Sequence, residues 1–152
     1  MSLPLRRFKH VQQARRAAPI TFGEKTEMSS KVGLSDQDVF GHMTNTRYNA
    51  LASIALDCHL MRTGLTNTLT ASGKRLVLIK EDVVFHRSLK FPDRFVIKTQ
   101  ILEADAKHLV AEHVFQRGSS RMADLRTALR AVDRQGAASD LPLTSPPLSQ
   151  IG

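Results

Sequence analysis

The sequence predicts an α+β fold in which one long helix is covered by antiparallel strands. Residues 45–63 place apolar side chains at helical spacing around most of the circumference, which is typical of a helix buried on several faces. Apolar runs rich in β-branched and aromatic residues follow, and short turn segments separate them, as expected of strands. The length of 152 residues fits one domain, and an apolar fraction of 41% favours a folded chain over a disordered one.

The helix has recognisable ends. Thr44 or Asn45 suits the N-cap, because either side chain can accept a hydrogen bond from a first-turn N–H group. Gly64 suits the position just past the C-terminus, where a left-handed residue closes the last turn. The apolar positions within the helix are Tyr48, Leu51, Ile54, Ala55, Leu56, Cys58, Leu60 and Met61.

The strands lie on both sides of the helix in the sequence. A first strand is predicted around Thr26–Val32, ending near Leu34, and further strands are predicted within 76–89, 95–104 and 108–117. These segments predict a helix followed by an antiparallel meander. The last segment, "MADLRTALRAVDR", is ambiguous: its helix formers narrowly favour a helix, while its alternating apolar positions suit a strand.

The two termini differ from the middle of the chain. Residues 1–16 contain five basic side chains and no acid, against a net charge of +8 for the chain. We expect residues 1–20 to form a basic arm that is solvated and loosely held; a transit peptide and a nucleic-acid arm remain as alternatives. Residues 137–152 are predicted to be a tail, held to the surface by Leu141, Leu143 and Leu148.

Several classes of protein are disfavoured. The sequence contains no run of eighteen apolar residues, which is the length needed to span a membrane. The single cysteine, Cys58, is expected to be a packing residue in a reducing, cytoplasmic compartment. Neither a serine-hydrolase elbow nor a phosphate-binding glycine loop is present. The histidines lack metal-ligand spacing, so we expect no metal and no cofactor.

Polar residues are concentrated immediately before the helix. The segment "DQDVFGHMTNTRY" would be a loop that leads from the first strand to the N-terminus of a buried helix. Such a helix end offers unpaired N–H groups and a positive dipole, which can polarise a carbonyl oxygen. A neighbouring carboxylate can then activate water or attack directly. The arrangement therefore indicates chemistry on an acyl group.

This segment resembles the "D-x-D-x-x-G-H-x-N-N-x-x-Y" motif of hotdog-fold acyl-CoA thioesterases of the 4-hydroxybenzoyl-CoA thioesterase group. Six positions match the motif, namely Asp36, Asp38, Gly41, His42, Asn45 and Tyr48. Thr44 departs from it, because the family commonly has Asn there. The resemblance extends over residues 21–136 as an order of elements, and it implies a hotdog fold with a strand in the ambiguous last segment.

The resemblance also implies roles for individual residues. Asp38 would be the general base or nucleophile, and the backbone N–H of Asn45 would hold the thioester carbonyl. His42 would assist within the loop or at the leaving thiolate, and Gly41 would allow a sharp turn. Residues that would bind substrate are Gly41, Tyr48 at the acyl pocket, and Arg47, with Arg87 and Arg117 as further contacts for the phosphates of coenzyme A. Asp36 is expected to be structural.

Members of this family pair as homodimers or homotetramers with the active site at the subunit interface. The resemblance thus predicts an acyl-CoA thioesterase, and an acyl carrier protein remains an alternative carrier of the acyl group. A second alternative is a non-catalytic hotdog module that binds acyl groups or serves in assembly. Nucleic-acid binding through the basic arm is the least favoured function, because no aromatic side chain beyond Phe8 lies among its charges.

Overall fold

The computed structural model describes residues 2–143. Its helices are α1 (Leu3–Arg16), α2 (Asn45–Thr63) and α3 (Leu65–Ala71), and a 3₁₀ turn covers Leu34–Asp36. Its strands are β1 (Thr26–Lys31), β2 (Arg75–Phe85), β3 (Arg94–Ala104), β4 (His108–Arg117) and β5 (Ser120–Val132). No helix within residues 2–143 combines the length and the apolar character needed to cross a membrane.

The five strands form one antiparallel sheet in the order β1-β3-β4-β5-β2, and α2 packs against it. Strands β3, β4 and β5 are a meander, as predicted. The predicted meander is wrong for β2, which it would have placed beside β3. The chain instead carries β2 to the far edge, where Val83 lies opposite Leu125 of β5. The fold class is nevertheless the predicted one, a long helix covered by an antiparallel sheet.

The ends of α2 are as expected. Of the two possible N-caps, Thr44 is the one used: its hydroxyl accepts the N–H of Arg47 at 3.4 Å. Gly64 closes the helix with a φ of +83°, a left-handed conformation that glycine adopts without steric cost. The short helix α3 was not predicted. Its threonines are poor helix formers, but Leu65 and Leu69, one turn apart, are both buried.

A layer of polar side chains divides the core. One group of buried apolar residues surrounds the first half of α2, and a second surrounds its second half together with α3. They are called apolar cluster one, which includes Leu51, Phe95, Ile97 and Phe115, and apolar cluster two, which includes Leu60, Leu65, Leu109 and Leu129. Between them lie one helical and four strand residues, which we call the polar layer: Thr26, His59, Thr99, His113 and Thr127. His113 is hydrogen-bonded through Nδ1 to the Thr99 hydroxyl at 2.9 Å, and His59 through Nδ1 to the Thr26 hydroxyl at 2.7 Å. Both imidazoles are fully buried.

The ambiguous last segment is strand β5, so the prediction from propensity alone is wrong and the one from the resemblance is confirmed. Leu125, Thr127 and Leu129 alternate along the strand and are buried against the helix side of the sheet. Leu125 pairs with His113 of β4 on one flank and with Val83 of β2 on the other. Pairing on both flanks outweighs the weak helical preference of Ala, Leu and Arg.

The expectation of a loosely held N-terminal arm is wrong. Residues Leu3–Arg16 form α1, which packs along α2. Arg6, His10 and Ala14 form its buried face, at intervals of four residues. An ion pair between Arg7 and Asp57 of α2, at 2.6 Å, adds a surface contact. The domain boundaries at residues 20 and 136 stay a prediction.

The C-terminal segment lies against the domain as far as the structure describes it. Leu141 is buried, and its N–H donates to the carbonyl of Ala106 at 2.6 Å. Leu143 is partly buried against apolar cluster two. These two leucines hold the segment to the surface as predicted, whereas Leu148 lies outside the described residues.

Candidate active site

The loop before α2 is a tight hairpin. Gln37 and Met43 form an antiparallel bridge, and the N–H of Asp38 donates to the carbonyl of His42 at 2.8 Å. Gly41 has a φ of +76°, which a residue with a Cβ rarely adopts. Its N–H returns to the carbonyl of Asp38 at 3.1 Å. The hairpin therefore folds Asp38 back toward the residues that start the helix.

The Asp38 carboxylate is oriented by the loop backbone. Its Oδ1 accepts the N–H of Phe40 at 2.9 Å and the N–H of His42 at 3.1 Å. The side chain is otherwise exposed. Two backbone donors on one oxygen fix the rotamer and leave Oδ2 directed to the surroundings of the loop. A carboxylate held in this way can accept a proton or attack an electrophile with little reorganisation.

The N-terminus of α2 begins three residues after His42. Asn45 and Thr46 occupy the first two helical positions, whose N–H groups have no acceptor one turn earlier in the helix. Both residues are exposed, as is His42. The positive end of the helix dipole therefore lies beside the hairpin that carries Asp38.

Asp36 has a different environment from Asp38. It is 2% exposed, and its Oδ2 accepts the Gly33 N–H at 2.7 Å and a donor from Arg6 of α1 at 2.7 Å. Arg47 of α2 lies 3.3 Å from its Oδ1. The carboxylate thus joins α1, the loop and the start of α2, which fits the structural role expected of it. A buried carboxylate requires such partners, because an unpaired one costs several kcal/mol.

Arg6 is the residue that the sequence analysis missed. Its side chain is 6% exposed and pairs with Asp36 across 30 positions of sequence. The spacing of Arg6, His10 and Ala14, together with Pro4 in the first turn, was the available indication of a helix with one buried face.

The other residues that were predicted to bind substrate lie in different environments. Arg47 is half-buried beside Asp36, so its guanidinium is already paired. Tyr48 is 2% exposed within apolar cluster one, where its hydroxyl accepts the Leu89 N–H at 3.1 Å. Arg117 is paired with Asp93 at 3.0 Å. Arg87 is exposed. The structure brings Asp38, Gly41, His42 and Asn45 together and places Tyr48 beneath them in the core.

Two cavities of the described residues lie against α1, and neither is lined by these loop residues. A cavity of about 1080 Å³ lies beside β1 and α1, and one of about 320 Å³ lies between α1 and α2. The hairpin itself is open, and its tip exposes two large apolar side chains, Val39 at 93% and Phe40 at 81%. In residues 2–143 no group of three or more His, Cys, Asp or Glu side chains could hold a metal ion.

The lone cysteine does not belong to this site. Cys58 is half-buried on α2 against apolar cluster one. Burial, aided by the neighbouring Asp57 carboxylate, raises the pKa of its thiol to about 11. The thiol is therefore protonated at neutral pH, which suits a packing residue.

Several proteins of known sequence or structure resemble the chain. Protein THEM6 of Xenopus laevis is 32% identical over 80 residues, which are 53% of this chain and 39% of THEM6. A probable thioesterase from Bartonella henselae superposes with a TM-score of 0.72 at 22% identity, over 78% of this chain and 100% of that one.

Two further solved structures share the fold. A 1,4-dihydroxy-2-naphthoyl-CoA thioesterase from Synechocystis gives a TM-score of 0.68 at 18% identity, over 78% of this chain and 90% of the other. A Staphylococcus aureus protein in complex with CoA gives a TM-score of 0.73 at 15% identity, over 82% of this chain and 81% of the other.

A family model covers most of the chain, including the Asp38 hairpin, all of α2 and the four strands that follow. The match runs over residues 32–149, and the model is that of the thioesterase-like superfamily. It starts after β1, so α1 lies outside the matched region. The prediction of a hotdog-fold thioesterase family is thereby confirmed: the chain belongs to the thioesterase-like superfamily.

Proposed function

We propose that this protein hydrolyses the thioester of an acyl-CoA, with Asp38 as general base or nucleophile. The observation that carries the proposal is the Asp38 carboxylate, fixed through one oxygen by two backbone N–H groups beside the open N-terminus of α2. Membership of the thioesterase-like superfamily supports thioester hydrolysis as the reaction. The fold shared with a protein solved in complex with CoA supports coenzyme A as the carrier.

The chemistry divides between the carboxylate and the helix end. The thioester carbonyl oxygen would accept the N–H of Asn45, so that the helix dipole stabilises the oxyanion as it forms. With Asp38 as base, a water oxygen attacks the carbonyl carbon while the carboxylate takes the water proton. The C–S bond then breaks, and the leaving thiolate takes up that proton from Asp38, either directly or by relay through His42. The acid and free coenzyme A leave.

The test is release of free thiol from a panel of acyl-CoAs with short aliphatic, long aliphatic and aromatic acyl groups. We expect the protein to hydrolyse one of these classes at a rate far above the uncatalysed one. Acyl groups on an acyl carrier protein form a second panel. Absence of thiol release on both panels would contradict the proposed hydrolysis and favour the non-catalytic acyl-binding module.

We further propose that the site is completed by a second copy of the chain paired along β2. Strand β2 lies at the edge of the sheet, and four of its large apolar side chains are about half exposed: Leu78 55%, Ile79 51%, Val84 54% and Phe85 45%. The other edge strand, β1, carries mainly polar side chains, which discourage edge pairing. Exposed apolar edges of this kind are typical of interfaces.

This assembly predicts that Ile79→Lys dissociates the dimer, because a charge would have to be buried at the interface. Sedimentation velocity should give a dimer for the wild type and a monomer for the variant, with thiol release lost in parallel. Ser29→Lys, which adds the same charge on the β1 edge, is the matched control and should remain dimeric. A wild type that sediments as a monomer and is active would overturn the proposed assembly.

A further inference from the structure

One cavity of the described residues is strongly basic. It has a volume of about 1080 Å³ and lies where α1 faces the open edge of β1 and the start of β3. Its charged lining consists of Arg6, Lys9, Lys31, Arg94 and Lys98 with one acid, Glu27, and we call it the cationic cleft. Helix α1, which forms one wall, precedes the region matched by the family model.

Much of this charge is uncompensated. Lys31 and Arg94 are directly opposite each other in the antiparallel pairing of β1 with β3. Like charges at opposing positions destabilise a sheet. Within residues 2–143 neither of them forms an ion pair, and neither does Lys9, whereas Glu27 is paired with Lys98 at 3.8 Å. An anion bound between Lys31 and Arg94 would relieve their repulsion.

The cleft opens next to the hairpin that carries Asp38. Gly33, Leu34 and Ser35, which lead into that hairpin, line the cleft at its end. Phe91 lines it as well, and the Phe91 N–H donates to the side-chain oxygen of Gln37 at 2.8 Å. A ligand in the cleft would therefore contact the segment that leads directly into the Asp38 hairpin.

We propose that the cationic cleft binds the phosphate-bearing nucleotide end of coenzyme A, with Lys31 and Arg94 as its principal contacts. This inference rests on the proposed function. Arginine and lysine side chains form charge-assisted hydrogen bonds with phosphate oxygens, and the volume is sufficient for a nucleotide. The Phe91 ring, 42% exposed, offers an aromatic surface to the base. Coenzyme A carries this nucleotide, whereas pantetheine does not, so the cleft would distinguish the two ligands.

The test compares ligands that contain and lack the nucleotide. Binding of coenzyme A and of pantetheine is measured by calorimetry for the wild type and for Lys31→Gln/Arg94→Gln. Both residues are exposed, so the fold should persist. We expect coenzyme A to bind about tenfold more weakly or worse to the variant, since charged hydrogen bonds are lost. Pantetheine, which has no phosphate, should bind equally to both proteins.

The matched control is Lys107→Gln/Arg130→Gln, which removes the same charge from exposed positions outside the cleft. It should bind coenzyme A as the wild type does. The proposal is overturned if the cleft variant retains wild-type affinity for coenzyme A, or if pantetheine binding falls equally. It is also overturned if only acyl groups on a carrier protein are hydrolysed. Failure of the proposed function is a separate result, namely absence of thiol release from every carrier.

Discussion

Asp38→Asn is expected to lower kcat by about a hundredfold or more while leaving the fold intact. The structure makes asparagine the most specific replacement for testing the role of the carboxylate. Its Oδ1 can accept the same two N–H groups, from Phe40 and His42, that the carboxylate accepts now. The hairpin should therefore keep its shape, and only the second oxygen is exchanged for an amide nitrogen. An amide neither takes a proton from water nor attacks a thioester, so both proposed roles of Asp38 are removed.

A control of matched geometry exists in the same chain. Asp105 caps an exposed turn in the same way, its Oδ1 accepting the N–H groups of Lys107 at 2.8 Å and His108 at 2.7 Å. Asp105→Asn should release thiol at the wild-type rate. Steady-state kinetics and thermal unfolding of both variants complete the comparison. If Asp38→Asn retained the wild-type kcat, Asp38 would have no part in the reaction, even if the protein hydrolyses thioesters.

Mild acid is expected to destabilise the protein through the polar layer. Burial lowers the pKa of His59 to about 4 and that of His113 to about 3, so both imidazoles are neutral in the fold. In the unfolded chain they regain a pKa near 6.5. Below that pH the unfolded state binds protons that the folded state does not bind. The free energy of unfolding therefore falls as the pH falls. The loss begins near pH 6.5 and continues down to the folded pKa values.

The size of the effect follows from the same linkage. Between about pH 7.5 and about pH 5.5 the two imidazoles together should cost about 2 to 3 kcal/mol of unfolding free energy. Buried His10, whose pKa is also lowered by burial, adds in the same direction. The reference pKa values of Asp and Glu, about 3.9 and about 4.3, lie below this window, so the window was chosen to report on histidines. Urea unfolding at the two pH values, analysed by linear extrapolation, provides the measurement.

Two variants distinguish the effect of the histidines in the polar layer from the effect of histidines elsewhere in the chain. His113→Gln should reduce the pH dependence of the unfolding free energy, whatever it does to the absolute stability. His108→Gln, at a half-exposed position at the start of β4, should leave the slope close to that of the wild type. An unfolding free energy that is the same at both pH values in the wild type would contradict the burial of neutral imidazoles.

Local signals in the sequence predict a large part of this fold. The limits of α2 follow from Thr44, Gly64 and the apolar spacing between them, because caps and periodicity act within a few residues. The turn at Asp105 and the reversal at Gly118 mark the ends of β4 in the same way. The sharp turn of the Asp38 hairpin follows from Gly41 and from the spacing of the motif around it.

What could not be predicted depends on partners distant in sequence. Strand β2 has no local feature that selects β5 over β3 as its neighbour. For His59 the sequence indicated only that metal-ligand spacing is absent, and its hydrogen-bond partner Thr26 lies 33 positions away. The segment of β5 is a strand because it pairs with both β4 and β2. At the site, the sequence suggested a structural role for Asp36 but gave no indication that its nearest cation is Arg6.

The Arg6–Asp36 ion pair has a consequence for what counts as the minimal folding unit of this protein. The family-model match begins at residue 32, yet the buried carboxylate of Asp36 is paired with Arg6, which lies outside it. A chain trimmed to the homologous part would retain the carboxylate, with Arg47 as its remaining cation among the described residues. The contacts that stabilise the start of α2 therefore extend upstream of the segment matched by the family model, and Arg6 joins the two.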